Sequence, residues 1–151
     1  MTTITPFLWF DSNAEEAIEF YSGIFPDAKV LEENRGPDGR LFFATFELVG
    51  QKIMALNGGP NFQFTEAISL FVSVGGQDEV DHYWNALTAD GGEESQCGWL
   101  KDKYGLSWQI VPEALMRYQA DPDPAVAGRV VQAMLQMRKI VIADLDAAAA
   151  G

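Results

Sequence analysis

One order of elements occurs twice in this chain, and it constrains the fold more than any single residue does. Residues 3–10 (TITPFLWF) read as a strand, with Pro6 tolerated at a strand start or an edge. Ser12 followed by Glu15 has the form of a capping box. After it, Ala14, Ala17, Ile18, Tyr21 and Phe25 recur at helical spacing until Pro26-Asp27 ends the helix. A strand near 28–34, the turn GPDG at 36–39, the strand LFFATFEL, a turn at Gly50-Gln51 and the strand KIMALN follow. The order is β-α-β-β-β over residues 3–58. AISLFVSV at 67–74 starts it again, with Ile68, Leu70, Val72 and Val74 on one face. A helix with Val80, Tyr83, Trp84 and Leu87 on one side runs to Gly91-Gly92. ESQCGWLKD carries short strands, DKYG a hairpin turn, and LSWQIV the last strand. The helices align at an offset of about 63 and the last strands at about 54.

A unit repeated in this way has a sheet face that it cannot bury alone. The predicted fold is α+β, with two βαβββ units at about 3–60 and 66–112 forming a cupped mixed sheet with the helices outside. One domain spans 1–151 and ends in a helical tail at about 113–149. A generic α+β sandwich without repeat symmetry is the alternative. Within the tail, Pro122 and Pro124 separate a short piece from a longer one. Val126, Val130, Met134, Met137, Val141 and Leu145 lie near one stripe of the longer piece. That stripe requires a cover, which could be its own domain, the cup or a second subunit.

Charge and cysteine content narrow the partners. The formal charge of −12 repels phosphate backbones, so no nucleic-acid partner is expected. Most of the carboxylates are expected on solvated helix faces. No apolar run is long enough to cross a membrane. The start MTTITPFLWFDSN has no basic region and no long apolar stretch, which favours the cytoplasm. Cys97 is the only cysteine, so neither an intrachain disulfide nor a four-cysteine zinc site can form.

The stretches FLWFDSNAEEAIEFYSGIFPDAKV, IMALNGGP, QCGWLKDKYGLSWQIVP and AMLQMRKIVIADL resemble a known group. It is the demethylubiquinone methyltransferase-like (PhnB-like) branch of the vicinal oxygen chelate superfamily, which includes glyoxalases, bleomycin-resistance proteins and dioxygenases. The resemblance runs from about Ile4 to Leu145. It implies the paired βαβββ fold and commonly a homodimer, within a superfamily of isomerases, dioxygenases, lyases and drug-binding proteins. Metal-using members place four ligands, usually His or Glu, on the central strands. The strand alignment puts those positions at Thr5, Ala55, Ser69 and Gln109. None offers an imidazole or a carboxylate, and a slip of one residue gives Ile4, Met54, Ile68 or Trp108, which is no better. No metal and no cofactor are expected. The methyltransferase label also lacks support from the residues. Asn57-Gly58-Gly59-Pro60 leads to NFQF rather than to a helix, whereas the common S-adenosylmethionine fold needs a Gly-rich loop opening a helix.

If those four positions face the cup, alternation also turns Phe7 and Trp9 inward, with Ile53, Ala55 and Asn57 on the fourth strand. It adds Ser69, Phe71 and Ser73, then Ser107, Gln109 and Val111. The ligand-binding set is therefore Thr5, Phe7, Trp9, Glu47, Asn57, Ser69, Phe71, Trp99 and Gln109. Such a lining suits an uncharged or weakly polar organic ligand. The competing reading is a packed sheet core whose polar groups satisfy one another. Glu47 faces either the cup, as a general base, or solvent. Cys97, with Lys101 and Lys103 near it in sequence, is either activated or an inert packing residue. Phe62 and Phe64 either close over a ligand or anchor the linker. His82 reads as a surface residue, which leaves no Ser-His-Asp set and no assigned catalytic residue. The expected function is metal-free binding of a small molecule, with at most modest acid-base chemistry. The alternatives are an enzyme of the same superfamily, acting as a lyase, isomerase, dioxygenase or methyltransferase, and an interaction module with a filled cup.

Overall fold

The computed structural model describes all residues from Met1 to Gly151, in two compact units, Met1–Phe64 and Thr65–Gly151. The first unit runs β1 (Phe7–Phe10), α1 (Ala14–Ile24), β2 (Lys29–Arg35), β3 (Leu41–Leu48) and β4 (Gln51–Asn57). Its four strands lie in the order β1-β4-β3-β2, with β1 parallel to β4 and the other pairs antiparallel. The second unit repeats this with β5 (Leu70–Val74), α2 (Gln77–Thr88), β6 (Glu93–Glu94), β7 (Trp99–Lys101) and β8 (Ser107–Pro112). The strand order β5-β8-β7-β6 is the same topology, again with the outer pair β5–β8 parallel. The α+β architecture of two βαβββ units is therefore present as the element order implied.

The helices form where the apolar spacing placed them. On α1, Ala14, Ala17, Ile18 and Tyr21 are buried, and Phe25 follows at its C-cap. On α2, Val80, Tyr83, Trp84 and Leu87 are buried. The first turn of α1 departs from the capping-box expectation. Its N-cap is Asn13, which makes no side-chain capping bond, and Asn57 Oδ1 at the end of β4 accepts from Ala14 N at 2.8 Å instead. A distant side chain takes the role expected of Ser12, because β4 ends beside the start of α1. Strands β1 and β5 begin later than the sequence indicated, at Phe7 and Leu70.

The tail comprises α3 (Glu113–Gln119), α4 (Pro124–Met134) and α5 (Ile142–Ala150). It folds onto its own unit. Val111 of β8 clusters with Leu115, Val130, Ile140 and Leu145, and Met134 and Met137 pack against them. Residues 137–140 form an irregular segment, with a bend at Arg138-Lys139, that is bonded to the unit. Cys97 N donates to Met137 O, Gly98 N donates to Arg138 O, and Gln77 Nε2 donates to Ile140 O at 3.0 Å. No helix is long and apolar enough to cross a membrane.

Candidate functional site

In each unit one sheet face is covered by a helix and the other is turned away from it. Strand register decides which residues stand on which face. In the first unit Phe7 pairs with Met54 and Trp9 with Leu56, and Thr45, Phe43 and Glu47 pair with Met54, Leu56 and Lys52. These residues share the open face, since cross-strand partners project to the same side. Leu8 with Ala55 and Phe10 with Asn57 project to the α1 side. Ala55 is 0% exposed there. This corrects the phase of β4, because Ile53, Ala55 and Asn57 face the helix and Met54 and Leu56 take the open side. Asn57 is occupied structurally, with Nδ2 donating to Leu41 O at 2.9 Å in addition to the cap on α1. Thr5 precedes β1 by two residues and is partly buried.

Trp9 is the most constrained residue of this face. Its Nε1 donates to Gly59 O at 2.9 Å, its ring lies against Gly58, and Phe62 meets it edge-on with centroids 5.0 Å apart. Phe64 packs edge-on against Phe10 at 5.2 Å. Both linker phenylalanines thus act as anchors within this unit. Glu47 stands on the open face with Lys29 Nζ 3.6 Å from its carboxylate and Lys52 as its cross-strand neighbour. It is a paired carboxylate rather than an isolated base.

On the open face of the second unit, Phe71 and Trp99 are the cross-strand partners of Gln109 on either side, so an amide sits between two aromatic residues. Gln109 Nε2 donates to Ser69 Oγ at 3.0 Å. One step along, Lys101 pairs with Ser107, and Lys101 Nζ forms an ion pair with Glu66. The hydrogen bond from Lys101 holds the Glu66 carboxyl below its ordinary range, and the same bond raises the Lys101 ammonium. Both stay charged and compensate each other. Phe71 is 49% exposed, whereas Val111, two residues beyond Gln109, is buried by the tail.

Asp102 is a structural residue absent from the sequence-derived set. It is buried in the β7–β8 hairpin. Oδ1 accepts from Tyr104 N at 2.9 Å and Leu106 N at 3.1 Å, and Oδ2 accepts from Trp108 Nε1 at 2.9 Å. Aspartate three residues before Gly105 is the sequence signal for such a turn. His82 is exposed on α2 with its ring against Tyr83, and Cys97 is partly buried in the turn before β7. Two clefts lie off the open faces. One of about 580 Å³ is bounded by Asp11, Ser12, Glu15, Arg40, Leu41 and Asn57, and one of about 590 Å³ lies between α4 and α5. Neither is lined by a histidine or cysteine.

The model of the 3-demethylubiquinone-9 3-methyltransferase family matches residues 2–111, which span both units through β8. The chain belongs to this family. The three tail helices lie beyond the matched segment. A putative 3-demethylubiquinone-9 3-methyltransferase, PhnB protein, from Bacillus cereus is 33% identical, with TM-score 0.68 over 74% of this chain and 99% of that one. A Pseudomonas aeruginosa protein is similar at 18% identity and TM-score 0.61, covering 74% of this chain and 98% of that one. The fosfomycin resistance protein FosX from Listeria monocytogenes, solved with Mn(II) and sulfate, is similar at 18% identity and TM-score 0.56 over 72% and 89%. At that identity the likeness is one of fold. No curated protein matches the chain. The family and these neighbours place the chain in the vicinal oxygen chelate superfamily.

The residues present do not fit the superfamily's metal. With β4 in its observed phase, the resemblance assigns the four positions to Thr5, Met54, Ser69 and Gln109. None is an imidazole or carboxylate, and Ser69 and Gln109 already bond each other. No group of three or more His, Cys, Asp or Glu side chains is arranged to hold a metal ion. The activity in the family's name meets a similar obstacle. β1 enters α1 through Asp11-Ser12-Asn13, with no glycine to admit a nucleotide-like cofactor, and each sheet is mixed and four-stranded rather than doubly wound.

Proposed function

We infer that this chain is a metal-free small-molecule binding protein of the glyoxalase/bleomycin-resistance type, acting in the cytoplasm. The observation that carries the reading is the row Phe71–Gln109–Trp99 on the open face of the second sheet. Adjacent strands lie about 4.8 Å apart, so the two aromatic side chains rise from positions roughly 10 Å apart with an amide between them. A flat organic molecule can contact the rings while the amide orients a polar group. The open faces hold no arginine at the paired strand positions, so a bidentate clamp for carboxylate or phosphate is absent. Lys101 and Glu47 are each neutralised by a partner within their own unit. The net charge of −12 adds a screened attraction for cations.

Neutral and cationic aromatic compounds should therefore bind more tightly than matched anionic ones. Gln109→Leu should weaken polar ligands by about 1–2 kcal/mol, the scale of one hydrogen bond with a buried partner, while the fold survives the near-isosteric change. A calorimetric screen at two salt concentrations measures both effects. Tightest binding by the anions, or affinities indifferent to Gln109→Leu, would remove this reading.

The same proposal includes a homodimer. The apolar stripe of the tail gives it little support, because Val130 and Leu145 are buried within their own unit and Met134 and Met137 pack against them. The stronger support is β2, an edge strand whose seven residues are all exposed, Val30 and Leu31 among them. Light scattering at micromolar concentration should give about twice the 16.6 kDa of one chain. A stable single-chain mass would contradict it.

A further inference from the structure

We propose that Ser107 anchors a polar subsite on the open face of the second sheet and binds the carbonyl oxygen of an uncharged aromatic ligand. This rests on the reading of that face as a binding surface and specifies what it binds. The chain buries two polar residues, Asp102 and Ser107. Asp102 accepts three hydrogen bonds. Ser107 is 1% exposed, and its Oγ has no hydrogen-bond partner. A buried hydroxyl left unpaired destabilises the fold that contains it, and alanine would fill the position better. Unexplained polar burial of this kind marks a place where a further group belongs.

The register supplies the surroundings of that group. Ser107 is the cross-strand partner of Lys101 and stands two residues before Gln109, so all three project to one face. The Gln109 amide nitrogen is engaged with Ser69. A lysine ammonium can only donate, and the serine hydroxyl is free to donate, so this part of the face suits an acceptor. Glu66 cancels the lysine charge, which removes the advantage an anion would have over a neutral carbonyl. The two long side chains that share its face, Lys101 and Gln109, are partly rather than fully buried. Phe71 and Trp99, on the row beside it, take the ring.

The full chain is titrated with 2-acetylnaphthalene and with 2-ethylnaphthalene, which differ by a carbonyl in place of a methylene. Ser107→Ala should lower the ketone-to-hydrocarbon affinity ratio about tenfold, the scale of one lost hydrogen bond. It should leave the melting temperature of the ligand-free protein unchanged or raised, since it deletes an unpaired buried group. An unchanged ratio overturns the subsite while leaving aromatic binding intact. A clear loss of stability in Ser107→Ala, or failure to fold, also overturns it, because the hydroxyl would then have a structural partner. If neither compound binds the unaltered chain, the binding reading itself fails and the subsite with it.

Discussion

Asp102→Ala should lower folding stability by about 4 kcal/mol, read from the midpoint of urea unfolding. The carboxylate is 2% exposed and is the common acceptor for Tyr104 N, Leu106 N and Trp108 Nε1. Removing it orphans an indole N–H and a backbone N–H that water cannot reach easily, at about 1–3 kcal/mol for each buried donor. Trp108 is among the largest fully buried side chains and stands on the α2 side of β8, so its displacement also disturbs the core. Asp102→Asn should be intermediate. One oxygen can still accept, but the amide NH₂ then faces a donor. The consequence reaches the open face, because Asp102 closes the hairpin that sets Lys101 opposite Ser107 and Trp99 opposite Gln109. A loss below about 1 kcal/mol for the alanine variant would mean that the hairpin finds other acceptors, and that this carboxylate does not hold the register.

Elements with one strong period were legible in the sequence, and elements whose placement depends on distant partners were not. The faces of α1 and α2 follow directly from spacing, since the helix has only one way to bury Ala14, Ala17, Ile18 and Tyr21 together. The phase of β4 did not. Ile53, Met54, Ala55 and Leu56 are all apolar, so alternation gives no preference, and the alignment offset of about 54 mapped Ala55 onto Gln109. The observed pairs, Phe7 with Met54 and Phe71 with Gln109, give an offset of about 55. A slip of one residue turns a whole strand over. On the α1 side Ala55 pairs with Ala44 and Ile53 with Phe46, and all four are buried. The tail stripe failed in a related way. It assumed one helix from Val126 to Leu145, but α4 ends at Met134 and residues 137–140 leave the helix to bond Cys97, Gly98 and Gln77. Ile140 rather than Val141 is therefore buried.

For the proposed ligand-binding residues the sheet face was mostly legible in the sequence, and the bonding was not. Phe7, Trp9, Ser69, Phe71, Trp99 and Gln109 do stand on open faces within their units, as strand alternation indicated. Asn57 does not, because an asparagine at a strand end is equally suited to cap a helix. The competing idea, a core whose polar groups satisfy one another, holds for Ser69 with Gln109 and fails at Ser107. That difference is a matter of distances between strands, for which one sequence provides no signal.

Gly58→Ala should cost about 2–3 kcal/mol and shift tryptophan emission to longer wavelength, because the new methyl group and the Trp9 ring require the same space. A Cβ at Gly58 would lie 2.4 Å from Trp9 Cε2 and 2.5 Å from Cζ2. The ring cannot yield cheaply. Its Nε1 is bonded to Gly59 O, and Phe62 sits against it edge-on. Moving it breaks a hydrogen bond and an aromatic contact together, and it removes a flat surface beside Phe7, Met54 and Leu56. Gly59→Ala is the control that separates sterics from backbone strain. Gly59 has φ of 90°, and a Cβ there would meet no atom within 4 Å. Its substitution should therefore cost about 1–2 kcal/mol through conformation alone. It should leave the Trp9 emission in place. Binding of neutral aromatic compounds to the Trp9 face itself should fall in Gly58→Ala and hold in Gly59→Ala. Equal stability losses with no emission change in either variant would show that Trp9 is free to turn aside, and the first sheet would then lose its claim to a preformed aromatic surface.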